Sequence, residues 1–178
     1  PAPDTAVCHY DATVDAGYRR SYELLASVPR ALMAGEFRLV YQPQFERATT
    51  RYTCVEALLR WDHPQRGPIP PGDFIPLLEK TTYIQAVTEW VLNTALAQIR
   101  AWEDAGLEVD VAINVSPRNL EQPGFAGMLQ DAFARHRLAP SRLEIECTEN
   151  AVLTEGPTLE GIKAARAMGV RVALDDFG

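Results

Sequence analysis

The chain has 178 residues, of which 47% are hydrophobic and 23% charged, and this composition is typical of one globular domain. Its formal net charge of −7 argues against polynucleotide binding, because that affinity depends on Lys and Arg neutralising phosphates. No apolar run approaches the ~20 residues of a transmembrane helix, and no signal peptide is recognisable. Cys8, Cys54 and Cys147 lack the spacing of a zinc site or a disulfide framework, which predicts a reducing, cytoplasmic environment.

The first part of the chain differs in pattern from the rest. Residues 1–30 are predicted to be a linker that includes a helix, because apolar residues there recur at loosely helical spacing among polar ones. Pro29 fits the first turn of a second helix, and Gly35 fits the C-terminal end of that helix. The domain itself is expected to cover residues 31–178.

Strand patterns and helix patterns alternate from Phe37 onward. The first strand begins there and is expected to stop at Pro43. Further elements are predicted as strands at 51–61, 109–115, 143–147 and 170–174, and as helices at 84–103, 124–136 and 158–168. This alternation predicts a mostly parallel α/β sheet, either doubly wound or a (β/α)8 barrel. A doubly wound sheet usually has a Gly-rich turn after its first strand, and no such turn occurs here.

The later strands carry oxygen-bearing side chains on one face. Because strand side chains alternate, Glu56, Asn114, Glu146 and Asp175 are predicted on the non-aliphatic faces of four successive strands, and Asp176 follows directly. Most of them lie near the C-terminal end of a strand, where catalytic groups converge in a barrel. Carboxylate and amide oxygens without His or Cys are the ligands that Mg²⁺ and Mn²⁺ prefer. The pattern therefore predicts a divalent metal site.

Each of these residues also has a structural interpretation. Glu56 could form a buried ion pair with Arg60, which follows four residues later. Asn114 could be a turn residue at the end of its strand, and the other acidic residues could be solvated strand ends or turns. The coincidence on four strands favours the metal site over these separate explanations.

A series of short motifs runs in order along the chain. They are Tyr41-Gln42-Pro43, Glu56-Ala57-Leu58-Leu59-Arg60-Trp61, His63-Pro64, Phe74-Ile75-Pro76, Trp90-Val91-Leu92, Asn114-Val115-Ser116, Glu146-Cys147-Thr148-Glu149 and Asp175-Asp176-Phe177-Gly178. In order and spacing the motifs resemble the EAL domain family, from about residue 31 to the last residue. The resemblance implies a (β/α)8 TIM-type barrel whose first strand runs antiparallel to its neighbours, with about five strands in this chain.

The resemblance also implies a reaction and roles for individual residues. The reaction is hydrolysis of the bacterial messenger cyclic di-GMP to linear pGpG with two Mg²⁺ or Mn²⁺ ions. The implied set comprises catalytic or metal-binding Glu56, Asn114, Glu146, Glu149, Asp175 and Asp176, and substrate-binding Gln42 and Arg60. Within it, Asp176 belongs to the second metal site, Glu149 steadies the loop after the Asp-Asp pair, and Arg60 contacts a phosphate.

Further expectations concern the parent protein. The resemblance implies a catalytic lysine, a metal-binding glutamate and a substrate-binding glutamine beyond Gly178, so the 178-residue chain alone is expected to be inactive. Residues 1–30 weakly resemble the linker that follows a GGDEF domain, which predicts an upstream GGDEF or sensory domain in the parent protein. Membrane attachment of that parent protein is one alternative. A homodimer is also expected. The alternatives are an inactive EAL domain that serves as a cyclic di-GMP receptor or signalling module, and another metal-dependent barrel hydrolase.

Overall fold

One six-stranded mixed sheet organises the part of the chain that a computed structural model describes, residues 12–46, 51–148 and 156–175. Its strands are β1 (Phe37–Glu46), β2 (Arg51–His63), β3 (Gly67–Ile69), β4 (Asp110–Asn114), β5 (Leu143–Thr148) and β6 (Arg171–Asp175). The helices are α1 (Ala12–Ala34), α2 (Pro71–Leu78), α3 (Tyr83–Asp104), α4 (Pro117–Leu120), α5 (Phe125–His136) and α6 (Pro157–Ala167), and Pro140–Arg142 form a 3₁₀ turn.

The strand order is β1-β2-β4-β5-β6, with the short β3 paired to β2. β1 runs antiparallel to β2, whereas β2, β4, β5 and β6 are parallel to one another. Helices connect the parallel strands, as βα units require. The expected antiparallel first strand followed by parallel βα units is therefore confirmed.

The helix at the start of the described residues is longer than predicted. α1 continues through Pro29 to Ala34, so the expectation that Pro29 opens a new helix is wrong. Proline inside a helix removes one backbone hydrogen bond, but burial of one helix face offsets this loss. Leu24, Val28 and Ala31 form that face and are at most 3% exposed. The division into a linker of residues 1–30 and a domain of residues 31–178 stays a prediction.

The first strand also passes a proline at which it was expected to stop. Pro43 pairs with Val55 of β2, and β1 continues to Glu46. β1 is the outermost strand at one end of the described sheet. The missing N–H of Pro43 therefore interrupts no pairing with a further described strand. The register then shifts between Gln44 and Phe45, which marks a β-bulge.

An aromatic cluster joins β1, β2 and α2. Trp61 is 1% exposed, and its ring lies 5.0 Å from that of Phe37 and 5.4 Å from that of Phe74. The indole N–H of Trp61 donates to the Glu36 carboxylate at 3.1 Å, and this carboxylate also pairs with Arg30 of α1 at 2.9 Å. The end of β2 is therefore held from its outer side.

No helix in the described residues has the length and apolarity needed to cross a membrane.

Candidate metal centre

Two neighbouring strands bring a carboxylate and an amide into direct contact. We call the sheet face that carries Glu56, Asn114 and Glu146 the inner face. Asn114 at the end of β4 donates through Nδ2 to Oε1 of Glu56 on β2, with 2.7 Å between the two atoms. Because this bond uses the amide nitrogen, the Asn114 oxygen keeps its capacity to bind a cation.

A second carboxylate on the inner face accepts a hydrogen bond from an amide on a distant strand. Glu146 of β5 is 8% exposed, and its Oε1 accepts from Nε2 of Gln44 on β1 at 2.8 Å. Its backbone is fixed too, because the N–H of Val115 donates to the Glu146 carbonyl at 2.9 Å. Since β2 and β4 separate β1 from β5 in the sheet, the Gln44–Glu146 contact shows that the sheet curls.

The two predicted substrate residues lie beside this pair of carboxylates. Gln42 is exposed and stands directly opposite Glu56 in the β1–β2 register. Arg60 is half-buried, and its guanidinium donates to the carbonyl of Leu59 at 2.9 Å. Within the described residues no ion pair joins Arg60 to Glu56, so the ion-pair explanation for Glu56 has no support in these contacts.

The other predicted site residues lie only partly within the described structure. β6 ends at Asp175, whose backbone pairs with Thr148 at the same end of the sheet as Asn114 and Glu146. The Asp175 side chain, and the whole of Glu149 and Asp176, lie outside the described residues. Among the side chains that are described, no three His, Cys, Asp or Glu groups form a cluster that could hold a metal ion.

The oxygen donors of the inner face suit a hard divalent cation. Glu56 and Glu146 supply carboxylates, and Asn114 supplies an amide oxygen, from three strands adjacent in the sheet. Ca²⁺, Mg²⁺ and Mn²⁺ bind such oxygen sets, whereas sites for zinc usually include His or Cys. The backbone position of Asp175 brings a fourth candidate ligand to the same edge.

A cavity of about 470 Å³ opens next to these residues. Polar side chains line one part of it, namely Arg60, Asn114, Ser116, Glu146 and Thr148, and the side that α2 and α3 line is mainly aliphatic. Ser116 also caps α4, because its hydroxyl oxygen accepts from the N–H of Arg118 at 3.2 Å. Sequence analysis missed Gln44 and Ser116. The period-two pattern could have placed Gln44 on the same face as Gln42.

The opposite end of the inner face holds a network of ion pairs. Asp110 at the start of β4 pairs with Arg142 at 2.8 Å and with Arg171 at 3.0 Å, and Arg171 also pairs with Glu144 at 3.3 Å. Cys54 lies opposite Asp110 in the register. Burial, and then the negative charge of Glu144, raise the pKa of the Cys54 thiol to about 11, so the thiol stays protonated at neutral pH.

Comparison with protein families decides the membership of this chain. A family model described as the EAL domain matches residues 25–178. The chain belongs to the EAL domain family. Among curated EAL relatives, it is 37% identical over 173 residues to the bifunctional diguanylate cyclase/cyclic di-GMP phosphodiesterase MucR of Pseudomonas aeruginosa. It is also 37% identical over 171 residues to the cyclic di-GMP phosphodiesterase PA2567 of the same species.

These matches cover nearly all of the present chain but a small part of each relative. They span 96% and 95% of this chain, and 25% and 29% of the two relatives. The chain therefore corresponds to between a quarter and a third of each of these curated proteins.

Solved EAL structures share the fold described above. The PaMucR phosphodiesterase in complex with c-di-GMP superposes with a TM-score of 0.82 at 39% identity, covering 88% of this chain and 64% of that one. The EAL enzyme Bd1971 in its cGMP-bound form superposes with a TM-score of 0.80 at 28% identity, covering 89% and 45%. The predicted fold class, a TIM-type barrel with an antiparallel first strand, is confirmed by this likeness together with the strand pairing.

Proposed function

We propose that this EAL domain binds cyclic di-GMP and, within its intact parent protein, hydrolyses one phosphodiester bond to give linear pGpG. The observation that carries the proposal is the convergence of Glu56, Asn114 and Glu146 on one face of three adjacent strands. The relatives add support, because two are named cyclic di-GMP phosphodiesterases and one related structure is a c-di-GMP complex.

We propose Mg²⁺ or Mn²⁺ as the cofactor in a two-metal site. Glu56, Asn114, Glu146 and Asp175 would hold the first ion, and Asp176 would contribute to the second. When bound, such ions activate water for attack on phosphorus and offset charge on the phosphoryl oxygens. The oxygen-only donor set supports this proposal, since hard cations prefer such ligands.

The remaining residues would act on the substrate or on the active-site loop. We propose that the guanidinium of Arg60 binds a phosphate of the dinucleotide, because it lines the cavity and lies on the strand that carries Glu56. Gln42, exposed beside Glu56, would donate or accept a hydrogen bond to the substrate. Glu149 would steady the loop that follows the Asp-Asp pair.

The test is hydrolysis of cyclic di-GMP by the intact parent protein with Mg²⁺ or Mn²⁺, with pGpG measured by chromatography. Glu56→Ala is the test variant, and Glu160→Ala, an exposed residue of α6 paired with Lys163, is the matched control. Product from the wild type and the control, but not from Glu56→Ala, would support the proposal. Binding of the dinucleotide without product would favour the receptor alternative, and absence of both would overturn the proposal.

We also propose the setting in which the domain acts. The cyclase function in the name of MucR supports an upstream GGDEF domain in the parent protein, which we place in the cytoplasm of a bacterium. A homodimer is proposed as well, and light scattering on the purified parent protein would measure its mass directly.

A further inference from the structure

Gln44 occupies an unusual position among the polar residues of the inner face. It belongs to β1, whereas the candidate metal ligands belong to β2, β4, β5 and β6. Its Nε2 nevertheless lies 2.8 Å from Oε1 of Glu146, across two intervening strands. Of the candidate ligands with described side chains, Glu146 is the one that the structure buries, at 8% exposure. A donor that reaches a buried carboxylate contributes more than one on the surface, because little water competes for the bond.

The backbone around Gln44 explains how the side chain reaches so far. Gln44 pairs with Cys54, whose row continues to Asp110, while Glu146 lies in the row of Asn114, two inner-face positions higher. Strand tilt in a curled sheet brings such offset rows together. Opposite Gln44 and Phe45, the register skips Thr53 of β2, and this β-bulge adds local twist at the point where Gln44 leaves the strand.

The carboxylates of Glu56 and Glu146 are oriented by the same chemistry. Asn114 donates an amide N–H to Oε1 of Glu56, and Gln44 donates one to Oε1 of Glu146. A neutral amide fixes the plane of a carboxylate without cancelling its charge, whereas an Arg or Lys would neutralise it. Such partners around a metal ligand reduce its freedom before the ion arrives and so increase metal affinity.

We propose that Gln44 is a positioning residue of the metal centre, which holds the Glu146 carboxylate in the orientation that binds the cation. The inference rests on the proposed function in assigning Glu146 as a ligand. Gln44 itself contacts neither ion nor substrate. It acts through Glu146, so its removal changes metal affinity more than it changes the rate at saturating metal.

The experiment measures Mn²⁺ affinity directly in the intact parent protein, by the electron paramagnetic resonance signal of free Mn²⁺ and without nucleotide. Gln44→Met keeps the length of the side chain and removes the donor, and Gln44→Asn keeps the amide but shortens its reach. The matched control is Gln130→Met, on the exposed side of α5. We expect both Gln44 variants to weaken Mn²⁺ binding by about 10-fold or more, and the control to match the wild type.

Hydrolysis at rising Mn²⁺ concentration provides the second readout. Both Gln44 variants should approach the wild-type rate at saturating Mn²⁺, whereas general damage to the fold would lower the rate at every concentration. Equal Mn²⁺ affinity of folded Gln44→Met and wild type, within about twofold, would overturn the inference. If wild type binds Mn²⁺ and the Gln44 variants bind it more weakly, but no pGpG forms, Gln44 keeps its role and the hydrolase proposal fails. If Glu56→Ala binds Mn²⁺ as tightly as the wild type does, the ion does not bind at this centre, and the Gln44 inference and the hydrolase proposal both fail.

Discussion

Strand β5 carries two glutamates on the inner face, two residues apart, in opposite electrostatic settings. Glu144 pairs with Arg171, and Arg171 also binds Asp110, which in turn pairs with Arg142. Glu146, one inner-face position further along, receives a hydrogen bond from the neutral amide of Gln44. Toward the starts of β4 and β5, which we call the lower end, the inner face thus matches Asp110 and Glu144 with guanidinium groups. Toward the ends of these strands, the upper end, the amides of Gln44 and Asn114 orient the carboxylates.

The difference separates structural carboxylates from functional ones. A carboxylate with a guanidinium partner already has its counter-charge, so the pair stabilises the fold and has little affinity for a cation. A carboxylate held by an amide keeps its negative charge and a fixed direction, which suits a divalent ion. In a barrel the upper end corresponds to the catalytic end of the strands.

Exchanging the two glutamates for glutamine tests this contrast most strongly. Glu146→Gln should lower metal-dependent pGpG formation by about 100-fold or more, because a proposed ligand loses its charge. Glu144→Gln should leave the rate within a fewfold of wild type and lower the free energy of unfolding by about 1 kcal/mol, since the ion pair is partly exposed. Kinetic assays and urea denaturation of the intact protein measure the two quantities. Similar rate losses in both variants would contradict the division between the ends.

Metal addition should stabilise the protein through the upper end alone. At a Mn²⁺ concentration of 100 times the dissociation constant, linkage predicts about 2.7 kcal/mol of added stability for the wild type. Glu56→Ala should lose most of this gain, whereas Asp110→Asn should keep it while starting from a lower stability. Thermal denaturation with Mn²⁺ and with EDTA gives the comparison. A gain in Glu56→Ala equal to that of wild type would place the bound metal elsewhere.

The helices that follow the upper ends of β4 and β5 meet at a glycine. A Cβ added at Gly161 of α6 would lie 2.1 Å from the carbonyl oxygen of Leu120 in α4, so the two backbones are in contact. Thr158 of α6 donates to the Glu121 carboxylate at 2.8 Å and strengthens this junction. Gly161→Ala should lower the free energy of unfolding by about 1–3 kcal/mol, because α6 must shift away from α4.

The matched control for this substitution is Gly127→Ala in α5, where an added Cβ meets nothing within 4 Å. It should be neutral or stabilising by up to about 1 kcal/mol, because alanine favours helix. Urea denaturation of both variants measures the difference. Equal stability of the two variants would mean that α4 and α6 can separate freely.

The smallest expected effect concerns the Cys54 thiol, which lies opposite Asp110 at the lower end of the inner face. The pKa of Cys54 is about 11, against an ordinary value of 9.0, mainly because of burial. The folded state therefore holds this proton more tightly than the unfolded state, so stability is unaffected below pH 9 and falls as the pH rises from 9 to 11. Cys54→Ala should remove this part of the alkaline loss, as measured by denaturation at pH 8 and pH 10.5. An identical pH dependence in both proteins would refute the shifted pKa.

Local periodicity predicted most of the fold and the inner face. The alternation of side chains places Glu56, Asn114 and Glu146 together because the β2–β4 and β4–β5 pairings are regular, and α3 follows from its apolar spacing. Both errors at Pro29 and Pro43 arose from treating proline as a terminator. Burial of one face of α1 and the position of β1 at the end of the strand order override that local rule.

Other features depend on contacts that no short window contains. β3 and α2 were missed because Gly67 to Pro71 contains three prolines within five residues and has the composition of a loop. The Gln44–Glu146 bond joins residues that are 102 positions apart, and it depends on the curl of the sheet and on the bulge in the β1–β2 pairing. The period-two pattern gives the face of Gln44 but not its partner.

That separation along the chain also sets an order of events during synthesis. The Gln44–Glu146 bond cannot form until β5 has been translated, 102 residues after the side chain that it captures. At a synthesis rate of about 5–20 residues per second, Glu146 is added to the nascent chain several seconds or more after Gln44. The amide contact that orients Glu146 is therefore among the late events of folding, because it requires both β1 and β5 to be in position in the curled sheet.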